Sequence, residues 1–165
     1  MKQSKHNIYY SPKEVRTILE RSIDTALDGL KCYCNDPVSD FTRCRKLPAR
    51  SLIECIMSFS NYSSIGELSH FFVGQGEMPS ASALSQRRQL LDPDIFKRIN
   101  NLFVSAFDDH TTINGYHILA QDGSDVNIPF MDDKTKTEKH DAKSFCQYHV
   151  NALYDCLNKV FYDWS

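Results

Sequence analysis

No stretch of this chain approaches the ~20 consecutive apolar residues that a membrane-spanning helix needs, so no contact with a membrane is expected. The N-terminus, Met1-Lys2-Gln3-Ser4-Lys5-His6, has no apolar segment behind its charges. That argues against a secretory signal and makes the cytoplasm the expected location. There is no internal repeat and no low-complexity tract. Zinc-ligand spacing is missing too. Cys32-x-Cys34 is tighter than the usual pair and no His pair answers it. The six cysteines are therefore expected to be free thiols, buried or half-buried, as in reducing compartments.

What remains is an ordinary folding composition. The 165 residues are 41% hydrophobic and 24% charged, enough to build a core and to fill one domain or a little more. The net charge of −2 conceals an asymmetry. Residues 1–107 carry 14 Lys/Arg against 11 Asp/Glu, whereas residues 108–165 carry 5 against 10. A basic half joined to an acidic half suggests a nucleic-acid grip beside a metal-binding body.

The first half reads as helices. Ser11-Pro12-Lys13-Glu14 is a helix start with a capping box, followed by Val15, Ile18, Leu19, Ile23, Ala26, Leu27 and Leu30 largely on one face. A second helix is predicted over 48–60, burying Leu52, Ile53, Ile56, Met57 and Phe59. A third is expected from a capping box at Ser64–Glu67, with Ile65, Leu68, Phe71 and Phe72 inward. A fourth, capped by Ser80 or Ser82, runs through Leu91 with Gln86, Arg87 and Gln89 outward. A fifth follows the Asp92-Pro93-Asp94 cap. Asp108–Gly115 is a polar connector that divides the chain into 1–110 and 111–165. Beyond it the period shifts from 3.6 toward 2. Strands are predicted at Tyr116–Gln121, Phe145–Tyr154 and Lys159–Trp164. A charged loop separates the first two, and an Asp155–Asn158 turn joins the last two. The fold class is α+β.

Four constellations carry possible chemistry. Asp122, with Asp125 nearby, would stand at the end of a buried strand. Carboxylates suit the hard ion Mg²⁺, and Gly123 permits close approach to the backbone. Asp-Gly-Ser is equally ordinary turn chemistry, and spacing alone favours the turn. The third and fourth helices form a helix-turn-helix candidate whose second helix offers Gln86, Arg87 and Arg88 to phosphates or base edges. Its turn is longer than the usual three or four residues, and a solvated face on a helical bundle is as good a reading. Arg43, Arg45, Lys46 and Arg50 lie within eight positions and could track a phosphate backbone. Exposed charge before a helix is the commoner case. The fourth, the charged loop 132–143, alternates in sign and reads as a solvated loop. Ser124, His149 and Asp155 can also be assembled on paper into a nucleophilic triad, but no nucleophile elbow supports it.

The order of motifs resembles a known family. It runs Arg43-x-Arg45-Lys46-Leu47-Pro48, then Glu67-Leu68 and Phe71-Phe72, then Pro79-Ser80-x-Ser82-Ala83-x-x-Gln86-x-Arg88. Leu119-Ala120-x-Asp122-Gly123-Ser124 and His149-x-Asn151-Ala152-Leu153-Tyr154-Asp155 follow. From about Phe41 onward this is similar to the N-terminal part of bacterial insertion-sequence transposases of the DDE class, insertion-sequence family four type. The resemblance implies a helical region that binds double-stranded DNA at element ends. It also implies the first three strands of an incomplete ribonuclease-H-like core. In that family three acids hold two Mg²⁺ ions that activate water, and later a 3′-hydroxyl, for in-line attack on phosphodiesters.

Asp122 matches the first acid, which ends the first strand, and so is the catalytic and metal-binding candidate. The second and third acids have no match, so the chain is expected to be a truncated, inactive transposase. It could homodimerise or pair with a full-length transposase. A non-catalytic inhibitory module and a stand-alone metal nuclease using Asp122 and Asp125 are the competing readings.

Overall fold

The computed structural model describes residues 10–43, 46–107, 112–128, 136–137 and 145–164. The chain is a mixed α+β protein that divides into two compact units, Met1–Ala106 and Phe107–Ser165. Among the described residues no helix is long and apolar enough to cross a membrane.

The first unit is helical. Helix α1 (Pro12–Asp28) begins with the capping box in full: the Ser11 side chain accepts from the Glu14 N–H and the Glu14 carboxylate accepts from the Ser11 N–H. A single 3₁₀ turn, Leu30–Tyr33, follows. Helix α2 (Ala49–Met57) is shorter than its apolar pattern suggests. The chain turns at Ser58, whose hydroxyl donates to the Cys55 carbonyl, so Met57 and Phe59 lie exposed instead of in the core.

Helix α3 (Ser64–Phe71) is capped one residue earlier than predicted, by Ser63, which accepts from the Gly66 N–H. Glu67 does not close a box. It is buried and accepts from the N–H groups of Ser60 and Tyr62, satisfying the turn that leads into the helix. Ile65, predicted inward, is 60% exposed in the first turn, while Leu68 is buried and Phe71 and Phe72 pack against the core as expected. Helices α4 (Ala81–Arg88) and α5 (Asp94–Ser105) complete the unit.

Its core is continuous. Ile23 and Ala26 of α1, Leu52, Ile53 and Cys55 of α2, Leu68, Leu84, Ile95 and Ile99 pack together with Leu47 and Leu91. A small bridge reinforces it. Asn35 donates through its side chain to the Gln89 carbonyl and through its backbone to Leu90, while Asp92 donates to Tyr33. Among the cysteines, Cys55 is buried and Cys34 half-buried, but Cys32 and Cys156 are exposed, contrary to expectation.

The second unit is an antiparallel sheet. Strand β1 (Leu119–Ile128) pairs along its whole length with β3 (Phe145–Asp155). The far edge of β3 takes the short β2 (Lys136–Thr137) near its start and β4 (Val160–Trp164) near its end. Two findings depart from the sequence reading. Strand β1 starts later and runs straight through Gly123 and Ser124, so neither the strand end nor the turn predicted there exists. A short strand, β2, also interrupts the charged loop, most of which lies outside the described residues. The connector ends in a tight hairpin: Ile113 and Tyr116 bond reciprocally around Asn114 (φ 52°) and Gly115 (φ 84°). Positive φ at both central positions is what an Asn-Gly turn supplies.

Candidate functional site

Strand β1 carries the candidate metal chemistry, and its pleat sorts the acids. Successive side chains alternate between faces, so residues three apart face opposite ways. Asp122 pairs in register with Ala152, and Asp125 with His149. One face therefore presents Ala120, Asp122, Ser124 and Val126 beside Tyr148, Val150, Ala152 and Tyr154. The other presents Gln121, Gly123, Asp125 and Asn127 beside Gln147, His149, Asn151 and Leu153. Asp122 and Asp125 cannot grip one ion together, and the nuclease reading built on that pair fails. Among the described residues no group of three or more His, Cys, Asp or Glu could hold a metal ion.

Asp122 is exposed on the more apolar face, with one of its oxygens accepting from the Gly123 N–H at 2.9 Å. It stands fourth in a ten-residue strand, which fixes its backbone by pairing on the β3 side.

The paper triad does not assemble either. Ser124 faces away from His149, and Asp155 is committed elsewhere. His149 instead meets Asp125, Nδ1 to Oδ1 at 2.9 Å. A Cβ at position 123 would lie 2.8 Å from His149 Nε2 and 2.9 Å from Cε1. Glycine at 123 is what lets the imidazole come this close to the strand. The carboxylate orients the ring, an arrangement that elsewhere serves a general base. Local spacing carries no signal of this pair; the β1–β3 register creates it.

Asp155 is a structural acid. It is buried and accepts from the N–H groups of Leu157 and Asn158, the Asn158 side-chain amide, and His117 Nδ1 at 3.0 Å. Burial alone would push its carboxyl up. The bonds from Asn158, His117 and Leu157 outweigh that and hold it at about 2.

The candidate DNA-contacting residues fare unequally. Arg43 and Arg88 are exposed, as is Gln86, which donates to Ser82. Lys46 is exposed and ion-paired with Glu77; that contact draws the Glu77 carboxyl below its ordinary range. Arg50 bridges α1 and α2 through Asp24 and through Glu54 at 2.9 Å. Arg45 lies outside the described residues.

Arg87 overturns its reading as an outward DNA contact. It is 8% exposed, donates Nε–H to the Leu47 carbonyl at 3.1 Å, and stacks 4.3 Å from the centre of the Phe41 ring. The helical position that looked outward by period is covered by the segment preceding α2. That packing brings the basic segment and α4 together, so Arg43 and Lys46 belong to the same part of the unit as Gln86 and Arg88.

Comparison of the chain with protein-family models, with curated proteins and with solved structures returned no match.

Proposed function

We propose that this is a transposase-like protein: a helical unit that binds double-stranded DNA, followed by the opening strands of a ribonuclease-H-like core. Asp122 serves as its first Mg²⁺-binding acid. The observation that carries the reading is the order β1–β3–β4, an antiparallel meander with an exposed carboxylate on its paired first strand. The helical unit supports it by joining exposed Arg43 and Lys46 to α4, with Gln86 and Arg88 also at the surface.

Asp122 would hold the metal through a hard oxygen donor, and that metal would polarise a phosphodiester. One carboxylate does not complete such a centre, so DNA binding, and not cleavage, is the activity assigned to these residues by themselves.

The test is binding of the full chain to a fluorescent mixed-sequence duplex across a range of salt concentrations. Replacing Arg43, Arg45 and Lys46 with Ala should weaken binding and flatten the log–log salt dependence by up to about one unit per lost phosphate contact. A variant with the wild-type slope would remove phosphate contacts from this segment.

A second reading is favoured by one feature of the sheet. Among the described residues no strand pairs with the outer edge of β1, and Val126, Tyr148 and Phe161 are exposed. An open edge beside apolar side chains suits strand addition to another chain. On this reading the protein pairs with a full-length transposase and inhibits it. Co-purification with such an enzyme and reduced strand transfer would support it; no association would end it.

A further inference from the structure

The basic segment is bounded at both ends by groups that touch one guanidinium. Phe41 stands before Arg43, Leu47 follows Lys46, and Arg87 of α4 contacts the Phe41 ring and the Leu47 carbonyl together. Phe41 adopts φ 56°, a left-handed conformation that a bulky residue rarely takes without being held there. The chain before it is already fixed. Asp36 accepts from the Val38 N–H and the Ser39 hydroxyl, Asp40 donates its N–H to the Asp36 carbonyl, and Thr42 donates its hydroxyl to the Ser39 carbonyl. Leu47 is buried in the core. The aromatic ring and the carbonyl thus share a planar fork that a lysine ammonium could not reproduce.

We propose that Arg87 is a positioning residue for DNA binding. By clasping Phe41 and Leu47 against α4 it positions their neighbours Arg43 and Lys46 to meet a phosphate backbone, without touching DNA itself. This rests on the DNA-binding reading above. It reverses the role that helical spacing gives to Arg87: the arginine acts from beneath the surface, and its exposed neighbours make the contacts. Holding Phe41 and Leu47 in place before DNA arrives removes part of the ordering cost of binding.

The experiment compares wild type with Phe41→Leu, Arg87→Lys, Arg43→Ala/Lys46→Ala, and the combination of Phe41→Leu with the last pair. Each is first checked for its helical circular dichroism and a cooperative melt. Two quantities are then read: the salt dependence of binding to a mixed-sequence duplex, and the rate of tryptic cleavage after Arg43 and Lys46. Phe41→Leu, the milder change, should weaken binding roughly fivefold, as loss of a cation–π contact allows. It should also flatten the salt slope and speed cleavage at those two sites. Adding Arg43→Ala/Lys46→Ala should flatten the slope no further than that pair does alone.

A folded Phe41→Leu or Arg87→Lys protein with the wild-type slope and cleavage rate would overturn the clasp while leaving DNA binding intact. Fully additive slopes in the combined variant would do the same. Wild-type protein that binds no duplex at all would overturn the DNA reading and, with it, the function of the clasp.

Discussion

Leu52, Ile53, Cys55, Leu68 and Ile95 of the helical unit are fully buried, whereas the one buried side chain among the described residues of the sheet unit is a carboxylate, Asp155. The first unit follows the usual route, removing apolar area from water. The second relies on a long antiparallel ladder and on a turn whose donors converge on Asp155. Hydrophobic burial is non-directional and indifferent to pH. A hydrogen-bonded carboxylate is directional and stabilises only while ionised. The two units should therefore fail under different conditions.

The sharpest way to separate them is to damage each core. Leu52→Ala should cost about 3 kcal/mol in chemical denaturation, with the loss confined to the helical signal. If the sheet resonances in an NMR spectrum melted with it, the units would not be independent. Asp155→Ala should cost about 2 kcal/mol by stranding the N–H groups of Leu157 and Asn158, seen as early melting of the sheet resonances.

A pH titration sharpens the same contrast. Asp155 is held at about 2, below its ordinary 3.8. Its contribution is fully present above 3.8 and is lost as pH falls toward 2. The sheet unit should weaken across that window, and Asp155→Asn should abolish the Asp155 part of that acid response.

Two smaller effects probe the surfaces. Glu77→Gln releases Lys46 and should raise duplex affinity about twofold, as expected for an exposed pair; unchanged affinity would show that Lys46 does not meet DNA. Gly123→Ala should push the His149 ring off the strand and break its bond to Asp125, read as a change in the imidazole nitrogen shifts with little change in melting. An unaltered ring would contradict the close approach.

Much of the helical unit was legible in the sequence because its signals are local. The Ser11–Glu14 box, the Ser80 cap and the apolar spacing of α5 each act within a few residues. The Asp155–Asn158 turn was legible for the same reason. The misreadings arose where distant partners decide. Gly123 and Ser124 look like a turn, yet ten residues of pairing with β3 hold them extended. Arg87 looks solvated, yet its partners stand 40 and 46 positions earlier. Asp122 and Asp125 look like a pair until the strand assigns them to opposite faces.

That last placement gives the sheet two chemically separate faces. Three residues along a strand is about 10 Å, roughly a Debye length in physiological salt. Asp122 stands on one side of the backbone and the Asp125–His149 pair on the other. The strand's own backbone separates the two groups, and at that spacing salt screens them from each other. A substitution on one face therefore leaves the side chains of the other face in place, and the two can be altered one at a time.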